Sequence, residues 1–102
     1  MGKHRDRLRI IAAILDACAS GACKTRIMFQ ANLNFTLLEK YLVHVMHLGL
    51  LQVEGQTYSL TEQGRDFLND YKLFHNRYLN AQEWLKYLDS EHERLSRLCE
   101  KL

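Results

Sequence analysis

The chain contains no proline, and no glycine follows Gly64. Nothing after Thr61 therefore interrupts a helix, which can run about 40 residues, or about 60 Å at 1.5 Å per residue. Three cysteines, Cys18, Cys23 and Cys99, are too few and too odd in number for a secreted disulfide framework, which points to a reducing interior. No apolar run approaches the roughly 18 residues of a membrane span, and no signal-like segment opens the chain. Both absences favour a cytoplasmic location. A Gly-rich phosphate loop, a nucleophile elbow and a carboxylate pair in a plausible cleft are also missing, so the expectation is a protein without catalysis, cofactor or small-molecule ligand. What remains is an ordered, helix-rich chain of 102 residues, enough for one domain, or for a smaller domain with an appended element.

Net charge is low, +2, but unevenly spread. Residues 1–30 carry six Lys/Arg and two Asp/Glu, a net +4, while 31–60 and 61–102 each come to −1. The excess lies at Lys3, Arg5, Arg7, Arg9, Lys24 and Arg26. Such a cluster is either a solvated helix start or a surface that faces phosphate.

Periodicity supplies the elements. Leu8, Ile11, Ile14, Leu15 and Cys18 recur at helical spacing within a helix predicted from Arg5 to Ala19, stopped by Ser20-Gly21. Ala22-Cys23-Lys24 has room only for a bridge or a single strand pair. Thr25 is the expected cap of a short helix ending near Ala31. After the break at Asn32-Leu33-Asn34, either Asn34 or Thr36 can cap a third helix, and Thr36 with Glu39 has capping-box spacing. That helix is predicted to reach Leu48, with Gly49 as its left-handed terminator. Its inward face is Leu38, Tyr41 or Leu42, Val45 and Leu48; Phe35, Thr36, Glu39, Lys40, Val43, His44 and His47 face out. Leu50 to Glu54 and Thr57 to Leu60 read as a hairpin around Gly55-Gln56, and Thr61 caps the final helix. The fold class is thus mainly α with one small β-hairpin. Three helices followed by a hairpin is the order of a winged helix-turn-helix, here spanning residues 1–66, with a dimerisation helix over 67–102.

The run Lys24-Thr25-Arg26-Ile27-Met28-Phe29-Gln30-Ala31-Asn32-Leu33-Asn34-Phe35 resembles a signature of archaeal winged-helix DNA-binding proteins. Lys40-Tyr41-Leu42, Leu48-Gly49-Leu50-Leu51 and Tyr58-Ser59-Leu60-Thr61-Glu62-Gln63-Gly64 continue the likeness in order, over roughly residues 5–71. The ten-kilodalton archaeal chromatin proteins are the best-known members, and the resemblance implies a nucleoid-associated homodimer joined through an antiparallel coiled coil. Two departures are visible. Asn34 replaces the usual serine, a harmless exchange of caps. The wing tip Glu54-Gly55-Gln56-Thr57 carries no Lys or Arg, which implies a weak or non-contacting wing.

Double-stranded DNA is the expected partner. Affinity needs cations near phosphates, and specificity needs side chains at base edges. Phosphate contacts fall to Lys24, Thr25 and Arg26 at a helix N-terminus, where backbone N–H groups also favour an anion, with Arg5, Arg7 and Arg9 as outlying anchors. Base reading falls to Asn34, Phe35, Thr36, Glu39, Lys40 and His44. Phe35 fits either a thymine-methyl contact or the core. With Lys40 the only basic residue in that set, modest selectivity is expected. The sequence does not separate a transcriptional regulator from a chromatin-architectural protein.

Along the last helix, Phe67, Tyr71, Phe74, Tyr78, Ala81, Leu85, Leu88, His92, Leu95, Cys99 and Leu102 follow in alternating steps of four and three, a heptad seam. A partner helix is implied, and a second copy is the economical choice. Tyr71 to Leu102 form the expected dimer interface, while Phe67 and Leu68 pack back on the winged domain. Small Ala81 and polar His92 among aromatics suit an antiparallel pairing, although the heptads alone do not fix direction.

Cys18, Cys23, His44 and His47 are the components from which a metal sensor would be built, but a Cys-x4-Cys spacing with Cys18 on an apolar face argues against zinc. The rival from another class is a protein-interaction module, a degenerate winged helix whose third helix and wing are nearly neutral.

Overall fold

The computed structural model describes residues 6–100. Its elements are α1 (Arg7–Ala17), α2 (Lys24–Ala31), α3 (Phe35–His47), β1 (Leu51–Glu54), β2 (Thr57–Leu60) and α4 (Glu62–Glu100). This is the mainly helical order with one small hairpin that the sequence predicts. The chain divides into two units, Met1–Tyr71 and Lys72–Leu102.

In the first unit α1 is the most deeply enclosed helix. Asp6 caps it, its carboxylate accepting from the Arg9 N–H at 2.8 Å. Ile10, Ile11, Ala12, Ile14, Leu15 and Ala17 are all buried, a wider face than the expected stripe. Leu8, predicted on that stripe, is 38% exposed, because it lies in the first turn, before the helix enters the core. The helix is also shorter than predicted at its C-terminal end: Cys18 closes it and Ala19 and Ser20 form a turn. Ile14, Leu15, Cys18, Ile27, Leu38 and Val45 are the largest fully buried side chains at the centre. Each such aliphatic side chain contributes about 1.5–3 kcal/mol by leaving water.

Cys23, not Thr25, stands at the N-cap of α2. The cause is the bridge just before it, in which the Ala22 N–H donates to the Tyr58 carbonyl at 2.9 Å and the Tyr58 N–H donates to the Ala22 carbonyl at 2.8 Å. The bridge holds the backbone extended through Ala22, so the helix begins one residue after Cys23, and Thr25 lies inside the first turn. At the other end Asn32 takes left-handed angles (φ 55°, ψ 55°), a conformation asparagine tolerates better than most residues.

Asn34 caps α3, its Oδ1 accepting from the Leu37 N–H at 2.8 Å. Thr36 is therefore the second residue of the helix and not its cap. Leu38, Leu42 and Val45 are buried, and Tyr41 is half-buried. Leu48, expected inward, is 50% exposed. The helix ends at His47, Leu48 is its C-cap, and Gly49 at φ 76° turns the chain so that Leu50 enters the core instead.

The hairpin pairs Leu51 with Leu60 and Glu54 with Thr57, leaving the two-residue loop Gly55-Gln56. A positive φ at Gly55 alone (64°) is the pattern of a type II′ turn, which needs glycine at that position. Thr61 then acts twice: its hydroxyl donates to the Gly49 carbonyl at 2.6 Å and accepts from the Gly64 N–H at 3.0 Å, starting α4. Leu68 is buried in the core and Phe67 packs against it, as expected from sequence.

In the second unit the heptad residues lie along one helix. Phe74, Leu85 and Leu95 are more than half exposed and Leu88 is 40% exposed. Tyr78 is half-buried, its ring tilted against that of Phe74 at 6.2 Å; Ala81, His92 and Cys99 are exposed. Trp84 and Tyr87, off the seam, stack at 5.5 Å. Leu102 lies outside the described residues. Among the described residues no helix is long and apolar enough to cross a membrane.

Candidate nucleic-acid interface

The residues expected to meet phosphate sit on two helices. Arg7 and Arg9 are exposed in the first turn of α1, whereas Arg5 lies outside the described residues. Lys24, Thr25 and Arg26 form the first turn of α2, where Cys23 makes no side-chain hydrogen bond to the helix. The earliest intrahelical bond runs from the Ile27 N–H to the Cys23 carbonyl at 3.0 Å. The N–H groups of the three preceding residues thus have no partner within the helix, and Thr25 and Arg26 are exposed beside them. A helix start of this kind, carrying two cations and no carboxylate, attracts an anion.

The expected base-reading residues share the outer side of α3. Phe35 is 56% exposed, which places it outward and not in the core. Thr36, Lys40 and His44 are exposed. Asn34 is committed to its cap through Oδ1, leaving its amide N–H groups to donate.

Glu39 differs from this set. It is half-buried, and its Oε1 lies 2.5 Å from Lys24 Nζ, with both side chains 40% exposed. Oε1 is itself shielded from solvent, and the Lys24 ammonium is its counter-charge. The hydrogen bond to Glu39 is the main cause that holds the Lys24 ammonium above its ordinary pKa; partial desolvation opposes it, and Tyr58 adds a smaller push upward. The same ammonium stands over the Phe35 ring, 6.0 Å from its centre. A half-exposed pair of this kind is screened by water and weak enough for another anion to exchange with it.

The structure thereby joins the two predicted sets. Lys24, Glu39, Lys40 and His44 line one open groove of about 740 Å³ with Val53 and Tyr58 of the hairpin. Arg7 of α1 shares a smaller recess with Lys40 and His44. Three features were not found from sequence. Phe29, 79% exposed on α2, lies well off the buried Ile27 and Ala31 stripe, and a helical wheel would have placed it. Val53, 44% exposed on the wing, is betrayed only by alternation over a four-residue strand. The Lys24–Glu39 pair leaves no trace in spacing, because it crosses between two helices.

The cysteines and histidines weighed for metal occupy different places. Cys18 is buried in the core, Cys23 is exposed at the start of α2, and His44 and His47 lie on α3. Burial pushes the Cys18 thiol up to about 11. Among the described residues no three His, Cys, Asp or Glu come together as a metal site.

A family model for the winged helix-turn-helix matches residues 4–79. This chain belongs to the winged helix-turn-helix family. In its terms α2 and α3, joined through Asn32-Leu33-Asn34, are the helix-turn-helix, with α3 as its second helix, and β1-β2 is the wing. Among solved structures the chain is similar to Sso10a-2, a DNA-binding protein from Sulfolobus solfataricus, at 26% identity and a TM-score of 0.69, over 92% of this chain and 96% of that one. A comparison with curated proteins returned no match.

Proposed function

We propose that this winged helix-turn-helix chain binds duplex DNA as a homodimer, with α3 in the major groove and α2 on the adjacent backbone. The observation that carries the reading is the uncapped, cationic start of α2, set beside an α3 whose outer face is exposed. The likeness to a DNA-binding protein along nearly its whole length supports it. Lys24, Thr25 and Arg26 hold phosphate, Arg7 and Arg9 (with Arg5) extend the anchoring, and Asn34, Phe35, Thr36, Lys40 and His44 face the base edges. The wing tip has no cation, so it adds little affinity. A reading face with no guanidinium group reads sequence weakly, which suits a chromatin-architectural role or a regulator of modest selectivity.

Dimerisation rests on the seam of α4, whose apolar residues lie exposed on a single chain. Burying them against a second copy in an antiparallel coil removes that cost and joins two DNA-binding surfaces in one molecule. No catalytic step or cofactor enters this account.

A second reading has an observation of its own. Phe29, Phe35, Val43 and Val53 expose apolar surface on α2, α3 and the wing, which favours a protein partner on the same face. Amide chemical shifts separate the two readings. On addition of a duplex of about 20 base pairs, the DNA reading expects changes at Arg7, at Lys24 to Arg26 and along Asn34 to His44. Shifts absent from α2 and α3 would contradict it.

A further inference from the structure

We infer that Glu39 acts as a built-in competitor for DNA phosphate: it occupies Lys24 in the free protein and is displaced when the duplex docks, which lowers affinity for any sequence. The inference rests on the DNA-binding reading and changes the role of Glu39 within it, from a reader of bases to a regulator of backbone contact.

The geometry is that of a phosphate already replaced. A carboxylate oxygen sits 2.5 Å from the Nζ of Lys24, a residue of the first turn of α2. Glu39 reaches this position from the second turn of α3, so the same two helices that straddle the DNA backbone also hold the mimic. Both side chains keep 40% of their surface exposed although Oε1 itself is shielded, so an incoming oxygen approaches from the Lys24 side. Lys24 is meanwhile drawn toward the groove, over the Phe35 ring and near Tyr58. Its charge is cancelled locally, and a cation so neutralised releases no counterion when it is brought to a phosphate.

Two roles for Glu39 make opposite predictions. A base reader would accept from a cytosine amino group, and its loss would weaken binding only where that base is present. A competitor weakens binding everywhere, and its loss strengthens binding everywhere.

The test uses the full chain as wild type, Glu39→Gln, Lys24→Gln and the double variant, titrated against two unrelated duplexes of equal length over a range of salt. Glu39→Gln is expected to tighten binding on both duplexes, by about two- to fivefold per protomer, the range an exposed pair can withhold, and to steepen the salt slope by about 0.9 per protomer. Lys24→Gln weakens both duplexes alike, and the double variant returns near the wild-type slope. Unchanged or weaker binding of Glu39→Gln on either duplex overturns the inference while leaving DNA binding intact. A wild type that binds neither duplex at the lowest salt overturns the DNA-binding reading, and this inference with it.

Discussion

Gly64 faces the carbonyl oxygen of Leu50 so closely that a Cβ at position 64 would stand 1.9 Å from it. An Ala-for-Gly exchange inside a helix ordinarily stabilises by about 1 kcal/mol. Here the obstacle is backbone, which cannot rotate away. Gly64→Ala is expected to destabilise the first unit by about 1–3 kcal/mol, as overpacking does. Thermal unfolding checks this; an unchanged or raised Tm would show that α4 does not need the close approach to the turn after α3.

Burial of Cys18 makes a pH-dependent prediction. Its thiol titrates near 11 in the folded chain against an ordinary value of 9.0. Below pH 9 the thiol is protonated whether the chain is folded or not, and the full stability is present. As pH rises from 9 to 11 the unfolded chain ionises while the folded one does not, and stability falls. Cys18→Ala is expected to flatten that alkaline decline in denaturant titrations between pH 8 and 11. In the wild type at pH 8, exposed Cys23 and Cys99 react with a thiol reagent quickly, and Cys18 only on unfolding. Three equally fast thiols would contradict the placement of Cys18.

Much of the first unit was legible because its elements are set locally. Gly49 at positive φ, Asn32 in the left-handed region, the two-residue loop at Gly55 and the hydroxyl of Thr61 each have a side chain, or lack one, for a reason internal to a few residues. Caps proved harder where a distant partner decided. Thr25 lost its expected position to Cys23 because Tyr58, on the hairpin, fixes the backbone at Ala22. Leu48 fits the helical stripe, yet the helix ends one residue before it, and Leu50 fills the core. In the site, exposure along α3 followed from period alone. What could not be read was that Glu39 leaves the outward set to meet Lys24, since a contact between helices depends on how they pack.

The account of α4 predicts that ending the chain after Tyr71, where the first unit closes, gives a folded monomer with much weaker DNA affinity through loss of bivalency. Sedimentation and a DNA titration check it; a truncated chain that stays dimeric would remove the coiled coil from the account. Direction has its own test. In an antiparallel coil the two Cys99 residues lie far apart, whereas a parallel coil brings their Cα atoms within the roughly 4.4–6.8 Å a disulfide requires. With Cys18 and Cys23 replaced by alanine, mild oxidation at low protein concentration should give little Cys99 crosslink. Rapid, near-complete crosslinking would establish the parallel arrangement.

Phosphate binding by the start of α2 is the central claim, and the salt dependence of duplex affinity measures it most directly. The wild-type association constant should fall linearly with salt on logarithmic axes. Arg26→Ala should lower that slope by about 1 per protomer and weaken unrelated duplexes equally, if Arg26 is, as proposed, a phosphate contact that reads no base. Affinity indifferent to salt, or an Arg26→Ala variant altered only in its sequence preference, would contradict the assignment.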